Sequence, residues 1–515
     1  MNKYHSSLAE PDIQTEYLDV VIIGAGISGI GSAHYLQSRL GDMSFVILDQ
    51  LHTFGGTWAI HKYPGARSDS DLFTFGYDFK PWKGKPIATR EQILSYLDEV
   101  IQEDRLEPHF RFNHHVQSMS WSSDEGLWTI EARIENNRPV RFKTRFLWMC
   151  QGYYRHAEGY TPKWPGMDQF AGKIIHPQHW PDELDYEGKR VVVIGSGATA
   201  ATLIPAMADK CRHITMLQRS PTYFSTGRNA DALCDELRAL NIDDSWIHEI
   251  MRRKIVHDRD QLVERARKDP QAVKQQLLTG VQNAVGPDFN IDPHFTPTYL
   301  PLKQRVAFVP EGDLFQAIRD GNASVVTDEI ESFTETGIRL KSGDTLEADI
   351  VVTATGFQLS PLGDITMTVD GDRVNWSDTI TYRGMMFTGI PNLLWVRGYS
   401  YYSWTLRVGL IGDVVCRLLQ YMRDHNVKRI MPKLRPEDED MEIGPWSDPT
   451  KFNPGYLMRS MHLLPKSGTK PEWRHTQDYT FESKAFPKID FDDPIFDMQY
   501  EADEAHRNVF KLKQG

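Results

Sequence analysis

Short runs of apolar, β-branched residues recur along this chain, and twice such a run ends in a glycine loop followed by a helical pattern. Residues 17–23 (Tyr-Leu-Asp-Val-Val-Ile-Ile) have no polar face in their second half, the pattern of a strand buried on both sides. Gly24-Ala25-Gly26-Ile27-Ser28-Gly29 follows, then a helical stretch over 30–40 and a second apolar strand over 44–48, closed by Asp49. The arrangement returns at Arg190-Val191-Val192-Val193-Ile194, Gly195-Ser196-Gly197-Ala198-Thr199-Ala200 and the strand 213–217, which ends in Gln218-Arg219-Ser220. Two units of this kind predict an α/β fold with two Rossmann-like dinucleotide-binding domains.

Between and after these units the pattern changes. Residues 128–134 alternate apolar and polar like a half-exposed strand, and 145–150 form an apolar strand running toward Gly152. Residues 160–166 are proline-rich linker. Over about 226–290 charge density rises with helical periodicity, which predicts a helical insertion with solvated faces and no chemistry of its own. A short helix at 313–319, strands near 325–326 and 338–340, and a strand from 349 into Ala354-Thr355-Gly356 complete the second unit. The C-terminal part offers a strand at 393–397, an aromatic loop over 399–404 and a helix over 405–425 capped by Ser403. The resulting division is a first domain over 16–155, a linker over 156–182, a second domain over 183–345, and a return to the first over 346–515.

Composition narrows the function more than the fold. At 515 residues the chain is too long for one core, and 40% hydrophobic with 25% charged residues is an ordinary globular balance. A net charge of −12 speaks against a nucleic-acid surface. Cys150, Cys211, Cys234 and Cys416 lie far apart, which argues against a disulfide framework, a zinc site or a redox cysteine pair and fits a reducing, cytoplasmic compartment. Residues 1–16 lack the apolar core of a signal peptide, and no apolar run is long enough to span a bilayer. Oligomeric state is silent.

The glycine loops carry the first chemistry. Gly24 permits a tight turn, Gly26 admits a pyrophosphate close to backbone, and Gly29 lets helix pack on strand, with Ser28 in the helix's first turn. Asp49 stands where an acid accepts from ribose hydroxyls. The second loop, through Gly195, Gly197, Ala198 and Thr199, lacks such an acid. Arg219 and Ser220 there suit a 2′-phosphate, which favours NADPH. Between the loops lies a Gly/Pro-rich stretch containing Gly56, Thr57, Trp58 and Asp69. Asp69 reads equally well as a group facing the cofactor's redox end and as a turn or helix cap in Ser68-Asp69-Ser70-Asp71.

Phe170-x-Gly172-xxx-His176-xxx-Trp180-Pro181 resembles, at each defined position, the fingerprint of type I Baeyer–Villiger monooxygenases. Gly55-Gly56-x-Trp58 through Tyr63-Pro64-Gly65 to Asp69 looks like that family's second motif, and Ala354-Thr355-Gly356 is similar to its ATG motif. Further stretches, among them 216–223, Ser403-Trp404-Thr405 and 455–466, resemble the ethionamide-monooxygenase branch. The resemblance implies FAD and NADPH as cofactors. It also implies a cycle in which NADPH reduces the flavin, O₂ adds to give a C4a-peroxyflavin, and one oxygen atom enters a ketone, giving an ester or lactone, or a sulfide or thioamide. It makes Asp69 and Arg305 the catalytic pair. Gln304 stands where the family often has lysine, leaving more of the phosphate binding to Arg219, and Asp49 stands where glutamate is usual. The alternatives are a flavin monooxygenase acting mainly on sulfur or nitrogen, and an uncoupled NADPH oxidase.

The fingerprint stretch lies just before the second glycine loop, where two cofactor modules must be brought into register. Phe170, Gly172, His176 and Trp180 are therefore expected to couple the domains, His176 as a junction residue and not as a proton-transfer catalyst.

Overall fold

The structure, a computed structural model, describes residues 13–501; most of the N-terminal stretch read above as no signal peptide lies outside them. Strand β1 (Thr15–Ile23) leads into helix α1 (Ile27–Arg39) and strand β2 (Phe45–Leu48). A meander follows, β3 (His115–Ser122), β4 (Leu127–Ile134) and β5 (Arg138–Met149). The chain then forms β6 (Lys173–Ile175), β7 (Arg190–Ile194), α2 (Ala198–Ala208) and β8 (His213–Gln218). Helices α3 (Ala232–Ala239), α4 (Asp244–Lys268) and α5 (Pro270–Val285) precede β9 (Ala323–Thr327) and β10 (Ile350–Thr353). Strand β11 (Leu393–Trp395), helix α6 (Thr405–Asp424) and the short α7 (Tyr479–Ala485) come last.

Two sheets result. In the first, β1 runs parallel to β2 and β5, with Ile23 beside both Leu48 and Met149. The long β5 is antiparallel to β4 over its first half and parallel to β11 at its end, where Leu147 faces Leu393. The second sheet is wholly parallel in the order β9-β8-β7-β10-β6. Side chains alternate across each strand, and both faces are covered. Val20 and Ile22 enter the core shared with α1 and α6, while Val21 and Ile23 enter a second core with Trp121 and Trp128. Val191 and Val193, then Val192 and Ile194, divide in the same way around β7. Double-sided burial is why these strands read as unbroken apolar runs, and why β4, buried at alternate residues, reads as alternating.

Four sequence expectations shift. The second sheet draws β6 from the stretch assigned to the linker and β10 from beyond residue 345, so the module boundaries interlock where parallel pairing demands it. The insertion is helical, but its long helix α4 is not merely solvated. Ile247 and Met251, one turn apart, sink into the first core, and the buried Arg252 donates through Nη1 to the carbonyls of Phe73 (2.9 Å) and Gly76 (3.0 Å). Thr57–Ile60 forms one helical turn within the stretch read as loop. Ser403 does not cap α6; its hydroxyl pairs with that of Thr74 at 2.7 Å, and Trp404 occupies the cap position without a side-chain bond to the helix's first turn.

Candidate active site

The first glycine loop closes the carboxyl end of β1. Gly24 holds φ +105°, and a Cβ there would lie 2.7 Å from the carbonyl oxygen of Cys150. At Gly29 a Cβ would lie 1.8 Å from the Gly24 carbonyl oxygen, so helix and strand meet with no room for a side chain. Gly26 abuts the second-motif stretch: a Cβ on Gly56 would sit 3.1 Å from the Gly26 Cα, and the Gly55 N–H donates to the Ala25 carbonyl at 2.9 Å. That contact brings Thr57 and Trp58 beside the loop, with the Trp58 carbonyl anchored by Arg90 Nε at 2.7 Å. Asp49 is engaged by its own surroundings. It accepts from the N–H of Ala25 at 2.6 Å and of Leu51 at 2.8 Å, and burial pushes its carboxyl up from the ordinary range. Its remaining lone pairs can still accept from a ribose. Ser28 is buried and accepts from Trp404 Nε1 at 2.7 Å. This cradle, with backbone bare where a Cβ would clash, fits a dinucleotide.

The second loop ends β7 in the same manner. Gly195 has φ +125°, and a Cβ there would meet the Ala354 carbonyl oxygen at 2.3 Å, so loop and ATG stretch are in contact. A Cβ at Gly197 would have nothing within 4 Å, which leaves its backbone open. Ala198 and Thr199 begin α2, and Thr199 lines the same small cleft as Tyr63 of the second motif. Arg219 and Ser220 emerge exposed at the end of β8, and the Ser220 carbonyl accepts from Ser196 Oγ at 3.4 Å. Lys303 points elsewhere, donating to the Thr450 carbonyl.

Asp69 does not cap the helical turn that follows it. Asp71 caps the helical turn that follows, accepting from the Phe73 N–H at 2.9 Å, which frees Asp69 for Arg305. Arg305 Nη1 donates to Asp69 Oδ2 at 2.6 Å, across 236 residues of sequence. The side chains stay 42% and 36% exposed, while Tyr153, Tyr154 and Tyr456 gather around the guanidinium. Asp69 holds the Arg305 pKa well above the ordinary arginine value, against the opposing effect of burial. Solvent screening keeps the pair's own contribution to stability to about 1 kcal/mol or less. The loop carrying Asp69 is tied to the second module by Arg67, whose guanidinium takes both oxygens of Asp313 (2.5 and 3.0 Å). It is also tied at Gly65, where a Cβ would sit 2.5 Å from Ala206 Cβ of α2.

The fingerprint forms the junction itself. His176 Nδ1 accepts from the Gln178 N–H at 3.2 Å, which leaves Nε2–H to donate to the Gly356 carbonyl at 3.1 Å. Burial lowers its pKa, so the ring is neutral and both nitrogens are engaged by backbone. Gln178 donates to the carbonyls of Arg155 and His156 (2.7 and 2.6 Å). Thr355 donates to the Tyr160 carbonyl at 2.5 Å. Phe170 packs edge-on to Phe333 at 5.9 Å, Gly172 lies against the Asp349 carbonyl, and Trp180 covers the second module's core. A small cleft joins His61 and Tyr63, His176, Thr199, and Ala354 with Gly356: second motif, fingerprint, second loop and ATG stretch meet there.

Several residues around this site were assigned no role from the sequence, Tyr456 entering only within the 455–466 resemblance. Tyr153 and Tyr154 follow β5, with hydroxyls 2.8 Å apart, and Tyr153 stacks on Trp404 at 5.2 Å. Tyr456 lies within electrostatic reach of Arg305. Arg259 of α4 lies within electrostatic reach of Asp69 and Arg305, from the insertion to which no chemistry was assigned. Its spacing within a charged helical run gave no reason to separate it from its neighbours. Among the described residues no helix is long and apolar enough to cross a membrane, and the four cysteines are free.

Two dinucleotide cradles, bridged by the Gly55–Asp69 stretch whose carboxylate pairs with Arg305, define a two-nucleotide α/β oxidoreductase. Residues 73–232 match the family model described as flavin-binding monooxygenase-like, and 22–81 match that of an NAD(P)-binding Rossmann-like domain. The FAD-containing monooxygenase EthA of Mycolicibacterium smegmatis is 44% identical over 480 residues, covering 92% of this chain and 96% of that protein. EthA of Mycobacterium tuberculosis (strain H37Rv) is 43% identical over 93% of this chain and 97% of its own. Among solved structures, an ε-caprolactone-bound cyclohexanone monooxygenase superposes with a TM-score of 0.74 at 20% identity, over 94% of this chain and 100% of that chain. An oxidized steroid monooxygenase bound to NADP gives 0.73 at 21% identity, over 94% and 100%. The chain belongs to the family of FAD-containing monooxygenases.

Proposed function

We propose that this protein is an FAD- and NADPH-dependent monooxygenase that inserts one atom of O₂ into ketones by Baeyer–Villiger oxidation and also oxygenates sulfur in sulfides or thioamides. The observation that carries the reading is the 2.6 Å Arg305–Asp69 contact at the junction of the two cradles. FAD, when bound, accepts hydride from NADPH and activates O₂. The protein's own task is to bind, orient and shield. The first glycine loop with Asp49 receives the flavin nucleotide; the second, with Arg219 and Ser220, receives NADPH through its 2′-phosphate. Arg305 holds a permanent positive charge where negative charge develops on a substrate carbonyl oxygen, and Asp69 fixes its orientation. His176 couples the modules by bonding the fingerprint to Gly356. The four free cysteines suit a reducing, cytoplasmic setting.

Purified protein should be yellow, and it should consume NADPH in step with product when given a methyl ketone, an aryl sulfide and a thioamide in turn. Ester from the ketone and sulfoxide from the sulfide support the reading. NADPH consumption that yields only hydrogen peroxide with every substrate refutes it.

A further inference from the structure

Arg397 stands just past β11 at the carboxyl edge of the first sheet, where the preceding Val396 N–H donates to the Met149 carbonyl at 2.9 Å. In open α/β sheets this edge is where ligands bind. The side chain is only 4% exposed. Its guanidinium lies 4.2 Å from the Tyr153 ring centroid and 5.9 Å from that of Trp395. Stacking covers the flat face of the group, but the N–H donors radiate in its plane. There, Nε and Nη1 are buried and meet no acceptor, and among the described residues no carboxylate pairs with Arg397.

Arg407 shows how this fold treats a buried guanidinium it needs for structure. It bonds Glu482 through Nε at 2.8 Å and the carbonyls of Arg383, Gly384 and Arg397 through its other nitrogens. Arg397, equally deep, is left open. It also stands near the reaction centre: the Tyr153 ring it covers lies, with Tyr456, within electrostatic reach of Arg305. Arg259 adds a further cation beside Asp69 and Arg305, with no hydrogen bond or ion pair to the described residues. Arg259 and Arg305 thus share one carboxylate, Asp69, and Arg397 has none among the described residues. A buried charge is tolerated when it is paired, and here no protein group supplies the partner.

We propose that Arg397 binds the carboxylate of an anionic substrate, so that the enzyme favours ketones or sulfur compounds bearing a carboxylate near the oxygenated atom. This substrate class rests on the monooxygenase reading of the same site. A planar guanidinium with coplanar free donors matches a carboxylate, and the uncompensated positive charge selects an anion over a neutral analogue.

The test uses the FAD-loaded enzyme without NADPH, with 4-(methylthio)benzoate and neutral thioanisole as probes and binding read from the flavin absorbance. The carboxylate should bind at least about tenfold more tightly, as a charge-assisted hydrogen bond warrants. Arg397→Gln should bring the ratio near unity, and Arg397→Lys should restore part of it. In the wild-type enzyme, which needs no altered chain, benzoate should compete with the probe and benzyl alcohol should not. Equal affinities in the wild type overturn the proposal. So does an unchanged ratio in Arg397→Gln accompanied by a shifted flavin reduction potential, which would place the guanidinium on the flavin. Carboxylate binding through Arg397 without oxygenation of either probe would uphold this inference and refute the reaction assigned above.

Discussion

Gly159 offers the most direct probe of the junction. Its position is occupied, in effect, by the ring of His176: a Cβ added there would lie 2.1 Å from Cε1, 2.3 Å from Nε2 and 2.4 Å from Nδ1. No side-chain carbon tolerates such distances, so Gly159→Ala must push the ring aside. The displaced ring loses its bond to the Gly356 carbonyl (3.1 Å) and the one it accepts from the Gln178 N–H (3.2 Å). At about 1 kcal/mol net for each, the junction weakens by roughly 2 kcal/mol. Neither glycine loop is touched, so FAD should stay bound while a growing share of NADPH is diverted from product to hydrogen peroxide. His176→Ala should produce the same phenotype by removing the ring itself. The two changes remove one interaction, so the double variant should be no worse than His176→Ala alone. The assay is the ratio of product formed to NADPH consumed, with flavin content and thermal midpoint measured on all four proteins. Additive losses in the double variant would refute the reasoning, and loss of FAD from His176→Ala would make the histidine a folding residue.

The other predictions concern charge. Arg305→Ala should keep flavin reduction by NADPH, followed anaerobically, and lose oxygenated product by a hundredfold or more, on the order of the ~2.7–4 kcal/mol typical of one removed oxyanion donor; ester at the normal rate would remove its assigned role. Arg219→Ala should raise KM for NADPH about tenfold or more and leave that for NADH nearly unchanged; equal losses would dismiss the 2′-phosphate assignment. Glu482→Ala should be severely destabilising. It strands Arg407, 0% exposed, without its carboxylate and takes an acceptor from Tyr399 (2.6 Å) and Thr476 (2.7 Å), for a loss of roughly 3–5 kcal/mol in chemical denaturation.

Both cradles were legible in the chain because everything they need is local. A strand buried on two faces, a loop with glycine at fixed offsets and a following helix lie within about thirty residues, and the steric demand falls on the glycines themselves. Local pattern also marked the insertion as helical. It did not show that Ile247 and Met251 would seat α4 on the first module, because a helix's docking partner is set by a surface formed elsewhere. The ambiguity at Asp69 was of the same kind. Both it and Asp71 suit a cap, and only the arrival of Arg305 from 236 residues away shows which carboxylate takes the ion pair and which the cap. Asp49 was recognisable as the acid after β2, whereas its engagement by Ala25 and Leu51 depended on how tightly the loop closes. Arg397 gave no sign at all, since an arginine after an apolar strand is usually solvated. Its burial beneath Tyr153, with in-plane donors unmet, exists only once β5, β11 and the tyrosine loop are assembled. Periodicity and glycine spacing are short-range constraints that a sequence carries openly. The charge balance of the active site is a sum over Asp69, Arg259, Arg305 and Arg397, groups from four separate stretches of chain, and it has no value until the fold brings them together.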